Sequence, residues 1–264
     1  MSNFLQKVYQ TKQQEVRDSK KKLSLTKICQ QLKCSSVAKN RDFFLALKNA
    51  SQNNQTALIC EAKKGSPSAG LIRPDFDLTK ITQSYESAGA VCLSILTDKQ
   101  YFFSDLSFLS IAHQACNLPL LRKDFIIDPY QVYESKLHNA DCILLIVAML
   151  SDSQLQELEE VALSLKMSIL IEIHNAQELQ RAMLLKSKLL GINNRNLQTL
   201  EVNLSTAINL AKLVPQNYLL VAESGIKTKA DIDNFKQHNI NCFLVGESLM
   251  KQKNITQAVH NLLI

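Results

Sequence analysis

Short apolar runs alternate with amphipathic stretches along most of the chain. Eight runs stand out: Ala57–Glu61, Ala90–Leu96, Pro119–Arg122, Asp141–Val147, Ser168–Ile173, Leu189–Asn193, Tyr218–Glu223 and Asn241–Gly246. Each is apolar nearly throughout rather than at every second position. That is the pattern of parallel strands covered on both faces. The intervals between them predict helices. Leu78–Ala88 carries apolar residues at helical spacing and stops at Gly89, a C-terminal cap. Asp105–Cys116 starts on an acidic residue suited to an N-cap. Pro129–Leu137 follows Asp128, so proline takes the first helical position. Ser153–Leu165, Ala176–Leu185, Ser205–Leu213, Lys229–Gln237 and Thr256–Leu263 complete the series, with Ser153 and Ser205 as N-caps.

Eight strand–helix units joined by right-handed crossovers close into an α/β fold, the (β/α)8 TIM barrel, over residues 57–264. A doubly wound open sheet shares the alternation. It usually brings a glycine-rich phosphate turn after its first strand, and neither GxGxxG nor GxxxxGK followed by Ser or Thr occurs. Residues 1–56 precede the first strand and predict a helical extension packed on the barrel. Asn3–Lys22 and Lys39–Ala50 read as helical, with Leu25–Leu32 between them. A cap on the barrel and a lid over one mouth fit this extension equally well.

Composition narrows the class. The 264 residues are close to the ~250 of one such barrel, and 46% are hydrophobic. With Gly 6 and Pro 5, disorder and a turn-rich all-β fold are both disfavoured. A net charge of +6 suits an anionic substrate and also weak nucleic-acid binding. The run Lys20–Lys22 has no nucleic-acid-binding module around it and reads as a solvated face, so no nucleic-acid partner is expected. The 7 cysteines are odd in number and form no CxxC pair. Cys60, Cys92, Cys142 and Cys242 sit inside apolar runs, as small core residues in a reducing compartment. There is no signal-peptide core near Met1 and no apolar run of the ~18 residues that a membrane span needs, so a cytoplasmic protein without a membrane partner is expected. His113, His138, His238 and His260 fall on helices without metal-ligand spacing, and no metal is expected.

Charged and amide residues end several of the apolar runs. The first ends Glu61-Ala62-Lys63, the third Arg122-Lys123-Asp124, the fifth Glu172-Ile173-His174, the sixth Asn193-Asn194-Arg195 and the seventh Glu223-Ser224-Gly225. In a barrel these all reach the C-terminal rim, where active sites are built. Side chains alternate along a strand, so Glu61 and Lys63 share a face, and Glu172 points inward between Ile171 and Ile173. The same reasoning turns Glu223 inward. Burying such charges is costly unless they are paired, which argues for a purpose beyond stability. Small residues follow the last two strands, at Ser224-Gly225 and at Gly246-Glu247-Ser248. Loops at those places commonly hold phosphate on backbone N–H groups. Glu247 is out of keeping with an anion nearby, and its carboxylate should point away. His174 reads as a loop cap, since no Cys or Asp is placed to form a triad with it.

Four segments carry a resemblance: Glu61-Ala62-Lys63-Lys64-Gly65-Ser66-Pro67-Ser68-Ala69-Gly70, Leu121-Arg122-Lys123-Asp124-Phe125-Ile126, Gly191-Ile192-Asn193-Asn194-Arg195-Asn196-Leu197 and Ala222-Glu223-Ser224-Gly225-Ile226. In combination they resemble the indole-3-glycerol-phosphate synthase family. The likeness runs from about Leu5 to the end and is weakest before Ala57. Gly65, Asn139 and Asn203 depart from its pattern at positions outside the chemistry. The resemblance implies a carboxy-lyase of tryptophan biosynthesis that closes the indole ring of 1-(2-carboxyphenylamino)-1-deoxyribulose 5-phosphate. It releases carbon dioxide and water, with no nicotinamide, flavin or metal. It gives Lys123 the role of acid toward the ketone, with its pKa brought toward working range by the neighbouring lysine and substrate charge. Glu172 becomes the base, and Lys63 the carboxylate ligand and acid of the dehydration. Glu61 orients Lys123 or a hydroxyl, while Asn193 and Glu223 position the hydroxyls and anilino nitrogen. Ser66, Ser224, Gly225, Gly246 and the backbone of Glu247 cradle phosphate. Arg195 is a structural partner at the end of the sixth strand, with a phosphate role also open. Association with other tryptophan-pathway enzymes is a further expectation. Another sugar-phosphate barrel, such as a phosphoribosyl isomerase, would share the phosphate loops but usually lacks the Glu/Lys-rich first strand end and Gly-Ile-Asn-Asn-Arg. A non-catalytic scaffold barrel should have lost Lys123 or Glu172, and both are present.

Overall fold

The apolar runs form strands where they were expected, within two residues at each end. In the computed structural model, which describes residues 3–34, 41–53 and 55–264, they are β1 Ala57–Ala62, β2 Cys92–Leu96, β3 Leu120–Lys123, β4 Cys142–Ile146, β5 Ser168–Ile173, β6 Leu189–Asn193, β7 Leu219–Glu223 and β8 Cys242–Val245. Every strand pairs in parallel with the next, and β8 returns to β1, so the sheet closes into a barrel. Burial explains the unbroken apolar runs. Ile59, Leu121, Leu170 and Val221 are fully covered within the barrel, and helices cover its outside.

The register decides which residues meet in the mouth. Glu61 is level with Ser94; one residue further along, Ile95 is level with Arg122, and one further is Lys123. The same one-residue advance leads from Leu145, level with Ile171, to Glu172, and from Ile192, level with Ala222, to Glu223. It closes from Val245, level with Cys60, back to Glu61. Eight such steps equal the shear of 8 of a TIM barrel, whose interior stacks in layers of four from alternate strands. Glu61, Lys123, Glu172 and Glu223, from β1, β3, β5 and β7, therefore form one layer. Below it lie Ser94, Leu144, Gly191 and Leu244 of the even strands; above it lie Leu96, Ile146, Asn193 and Gly246.

The outer helices are α4 Leu78–Ser87, α5 Lys99–Phe102, α6 Ser107–Ala115, α7 Pro129–Leu137, α8 Asp152–Ser164, α9 Ala176–Ala182, α10 Ser205–Ala211, α11 Lys229–Lys236, α12 Glu247–Met250 and α13 Ile255–Leu263, preceded by α1 Asn3–Lys22, α2 Leu25–Cys34 and α3 Phe43–Gln52. Asp128 caps α7 by accepting the Tyr130 N–H ahead of Pro129. Three expected caps differ. Leu106 rather than Asp105 takes the N-cap position of α6, and Asp105 accepts the Ser107 N–H from one residue further back. Ser151 rather than Ser153 caps α8, because it forms a reciprocal capping box with Gln154. Ser205 opens α10 but does not cap it; Asn203 Oδ1 accepts its N–H instead.

The extension uses its helices at different places. Phe4 and Leu5 of α1 line a cavity at the C-terminal mouth. The region after α1 forms a further helix, α2, whose Ile28 packs with Val16 and Tyr130 on the flank. At the opposite end, the Arg41 N–H donates to Asp141 and the Phe44 N–H to Ser168, beside the starts of β4 and β5. The extension thus meets both ends of the barrel, α3 at one and the start of α1 at the C-terminal mouth. Lys39 and Asn40, the first residues expected in the second helical stretch, lie outside the described residues.

Candidate active site

The four odd-numbered strands and β6 bring polar side chains to the mouth at or next to their last residue: Glu61, Lys123, Glu172, Glu223 and Asn193. Glu61 and Lys63, two residues apart on the inner face of β1, pair at 3.0 Å, and Ser94 donates to the other Glu61 oxygen at 3.3 Å. This bears on one of the two roles expected of Glu61, the orienting of Lys123. Glu61 holds Lys63, its neighbour on the same face, and makes no direct contact with Lys123. A Cβ on Gly246 would lie 2.6 Å from Glu61 Oε1, so the bare backbone there is what admits the carboxylate.

Lys123 Nζ stands between two glutamates, 3.5 Å from Glu172 Oε2 and 3.8 Å from Glu223 Oε2. Burial pulls its pKa down, but Glu172, Glu223 and Glu61 together outweigh burial and raise it above the usual lysine range. The expected lowering toward working range is therefore reversed in the free site: three carboxylates surround the ammonium where one neighbouring lysine was counted. Lys123 is held firmly cationic.

The two glutamates around it differ. Burial pushes the Glu172 carboxyl up, but Lys123 and His174, with a hydrogen bond from Asn193, carry it well below the carboxylate range. Asn193 Nδ2 donates to Glu172 Oε1 at 3.1 Å, and Asn193 Oδ1 accepts the Arg195 N–H at 3.0 Å. Glu223 lacks such support. Burial and the charge of Glu172 push its carboxyl up to about 8, with Lys123 only partly opposing. Its Oε1 is buried without a hydrogen-bond partner and lies against Gly191, where a Cβ would collide with it.

Two adjoining cavities open over this layer and share Glu61, Lys63, Arg195, Ser224, Leu244 and Glu247. One, of about 260 Å³, is lined by Lys123, Glu172, Asn193 and Glu223 with Leu5, Leu96, Phe102, Phe125, Leu144 and Ile146. Its walls suit an aromatic ring. The other, of about 890 Å³, runs past Ser224, Gly225 and Gly246 after β7 and β8. Ser224 and Gly225 both have left-handed backbone, at φ 64 and 85. That conformation is rare for serine and, when held, is commonly functional. Ser66 stands apart from this loop pair, lining the smaller cavity, where its Oγ accepts the Ala69 N–H. The Glu247 carboxylate turns to Lys251 at 2.6 Å and comes within 3.9 Å of Arg195 Nη2. Arg195 Nη1 donates to the Leu200 carbonyl, as a structural partner would.

His174 is not the cap of its loop. Asn175 caps α9, accepting the Glu178 N–H, while the His174 ring lies between Glu172 and Glu178. Sequence reasoning also passed over Lys12. It is 2% exposed on α1 and reaches Asp98 at 2.6 Å and Asp124 at 2.8 Å. A lysine in an amphipathic helix gives no sign of burial. Its signal lay in Asp98 and Asp124, two acids at strand ends that had been given no partner.

A closed (β/α)8 barrel with a charged layer at its C-terminal mouth, joined to a cavity between the last two loops, defines an enzyme for an anionic substrate. Its fold is shared with KGPDC from Streptococcus mutans (TM-score 0.61, 10% identity, 79% of this chain and 95% of that one) and with thiamine phosphate pyrophosphorylase from Pyrococcus furiosus (TM-score 0.60, 14% identity, 80% and 95%). The chain belongs to the indole-3-glycerol phosphate synthase family, whose model matches residues 5–262. Relatives of that name include those of Zymomonas mobilis subsp. pomaceae (46% identical, covering 100% of this chain and 99% of that one) and Azospirillum brasilense (48% identical, 84% of each). The family is one of decarboxylating lyases in tryptophan biosynthesis.

Proposed function

We propose that the mouth converts 1-(2-carboxyphenylamino)-1-deoxyribulose 5-phosphate to indole-3-glycerol phosphate, carbon dioxide and water, through the residues of the charged layer. The observation that carries this is Lys123 held cationic between Glu172 and Glu223 at the meeting of an apolar and a polar cavity. The anilino ring fits the apolar cavity. The phosphate fits the backbone of Ser224, Gly225, Gly246 and Glu247 in the larger cavity. Lys63, beside the shared wall, receives the carboxylate.

Carbon–carbon bond formation comes first. The ring carbon bearing the carboxylate attacks the ketone carbon, and the carbonyl oxygen takes a proton from Lys123. An alkoxide is a stronger base than an amine, so the transfer runs downhill even from a lysine whose pKa is raised. The bond to the carboxylate then breaks, its electrons restore the aromatic ring, and carbon dioxide leaves. In the last step the new hydroxyl departs as water with a proton from Lys63. The carbon beside nitrogen gives its proton to Glu172, closing the indole double bond. Glu172 can return that proton to Lys123 across 3.5 Å. One proton per turnover comes from solvent, through Lys63. Asn193 and Glu223 orient the hydroxyls and nitrogen, and Glu61 aims Lys63. The five buried cysteines are free, which suits the reducing cytoplasm.

Incubating the purified protein with this substrate, without added metal, should yield a fluorescent indole product. No product at micromolar enzyme would overturn the reading.

A further inference from the structure

We propose that His174 is a positioning residue that fixes Glu172 as the proton acceptor and so separates its role from that of Glu223. The proposal rests on the reaction assigned above. Glu172 and Glu223 occupy the same layer, are equally buried, and share Lys123 as their cation. They differ in their other neighbours. His174 Nε2 lies 3.2 Å from Glu172 Oε1, an ion pair without hydrogen-bond geometry, and its Nδ1 lies 3.0 Å from Glu178 Oε2. Among the described residues Glu223 has no cation but Lys123 within ion-pair distance, and its Oε1 has no hydrogen-bond partner.

The ring is held from outside. Glu178 also accepts the His174 backbone N–H at 2.8 Å and Asn175 Nδ2 at 2.7 Å. Asn175 and Glu178 therefore close the loop without the imidazole, leaving the ring free for another task. Clamped between two carboxylates, that ring carries a proton and a positive charge across the working pH range. Burial lowers its pKa, but the two glutamates raise it to about 10.

The other groups facing Glu172 are Lys123 from β3, Asn193 from β6 and, as a like charge, Glu223, on which Glu61 also acts. Lys123 favours ionisation of both glutamates; His174 pairs directly with Glu172 and acts on Glu223 only through its charge, as the smallest of the influences there. Its charge keeps Glu172 anionic, and the anion in turn drives a proton onto Glu223. One carboxylate is then free to accept a proton from the carbon beside nitrogen. The other remains a neutral hydrogen-bond donor. Environments that push a pair of carboxyl pKa values apart in this way assign base and donor within one site.

The test is the pH profile of full-length His174→Gln, read beside wild type. Losing the cation should raise the acid limb of kcat by about one pH unit or more. KM should change little, and activity should recover on the alkaline side. Glu178→Gln should move the limb the same way by less, and it answers for the proposal if the first variant does not fold. In wild type, nitrogen-15 NMR of the ring should show both nitrogens protonated at pH 8, where an ordinary histidine of pKa ~6.5 is neutral. An unmoved acid limb with activity lost equally at all pH values would overturn the proposal. So would a ring that titrates near an ordinary histidine. The NMR arm needs no turnover, so a wild type without activity would refute the assigned reaction separately.

Discussion

Lys12 Nζ, from the first helix of the chain, lies 2.8 Å from Oδ1 of Asp124, the residue that follows Lys123 in the mouth. The same ammonium reaches Asp98 at 2.6 Å, and Asp98 caps the helix after β2. Asp124 is further held by Thr97 and Arg122. One lysine thus ties α1 to the loops after β2 and β3. Replacing it with methionine leaves two buried carboxylates without their shared cation. Breaking a buried ion pair from one side costs about 3–5 kcal/mol. Lys12→Met should lower the urea midpoint accordingly, with Lys12→Arg closer to wild type. If Lys12→Met unfolds like wild type, α1 is not anchored there. Activity should fall as well, because Phe4 and Leu5 wall the cavity.

Gly191 tests the layering of the barrel. It lies one layer below Glu223, and its missing side chain makes room for that carboxylate. Gly191→Ala forces the carboxylate away or strains the strand, at about 1–3 kcal/mol for overpacking. Turnover should drop at least tenfold, a rise of about 1.4 kcal/mol in the barrier. Thermal unfolding measured beside kcat separates the two effects. Wild-type turnover in this variant would show that the position of Glu223 does not matter.

Much of this was legible in the sequence because both signals are periodic. Unbroken apolar runs located all eight strands, and alternation turned Glu61, Glu172 and Glu223 inward. The layer they form with Lys123 follows from the one-residue stagger, which no single strand displays. Contacts across the fold were hidden for the same reason. Lys12 and Asp124 are 112 positions apart, and nothing local marks them as a pair. His174 was read as a cap because it sits at a strand end, but capping depends on which oxygen faces which N–H, and Asn175 wins that place. The rise in the Lys123 pKa depends on counting three carboxylates at once, which needs the closed barrel.

Lys123→Met should reduce turnover by orders of magnitude while the barrel still folds. It also leaves Glu61, Glu172 and Glu223 facing one another without the central cation. Their carboxyls then rise, and a carboxyl that is higher in the folded state loses stability as pH increases. Melting of the variant, measured from pH 5 to pH 8, should therefore fall relative to wild type as pH rises. A constant difference across that range would mean that Lys123 does not hold the three charges together.

Glu223→Gln isolates the carboxyl that is raised. In the folded chain Glu223 is pushed up to about 8, against ~4.3 for an ordinary glutamate. Between those values the folded state binds the proton more tightly than the unfolded chain. Stability contributed by that proton is full at low pH and drains away as pH climbs toward 8. Glutamine keeps the shape and the donor but has no charge to bury. The variant should thus be little changed near pH 4 and more stable than wild type at pH 8. Each kcal/mol gained there raises Tm by about 2–4 °C. If the neutral form of Glu223 is what binds the hydroxyls or the nitrogen, Glu223→Gln should also retain more activity than Glu223→Ala, and its activity relative to wild type should rise with pH as wild-type Glu223 ionises. A variant less stable than wild type at pH 8 would mean that the Glu223 carboxylate is charged and satisfied in the free enzyme.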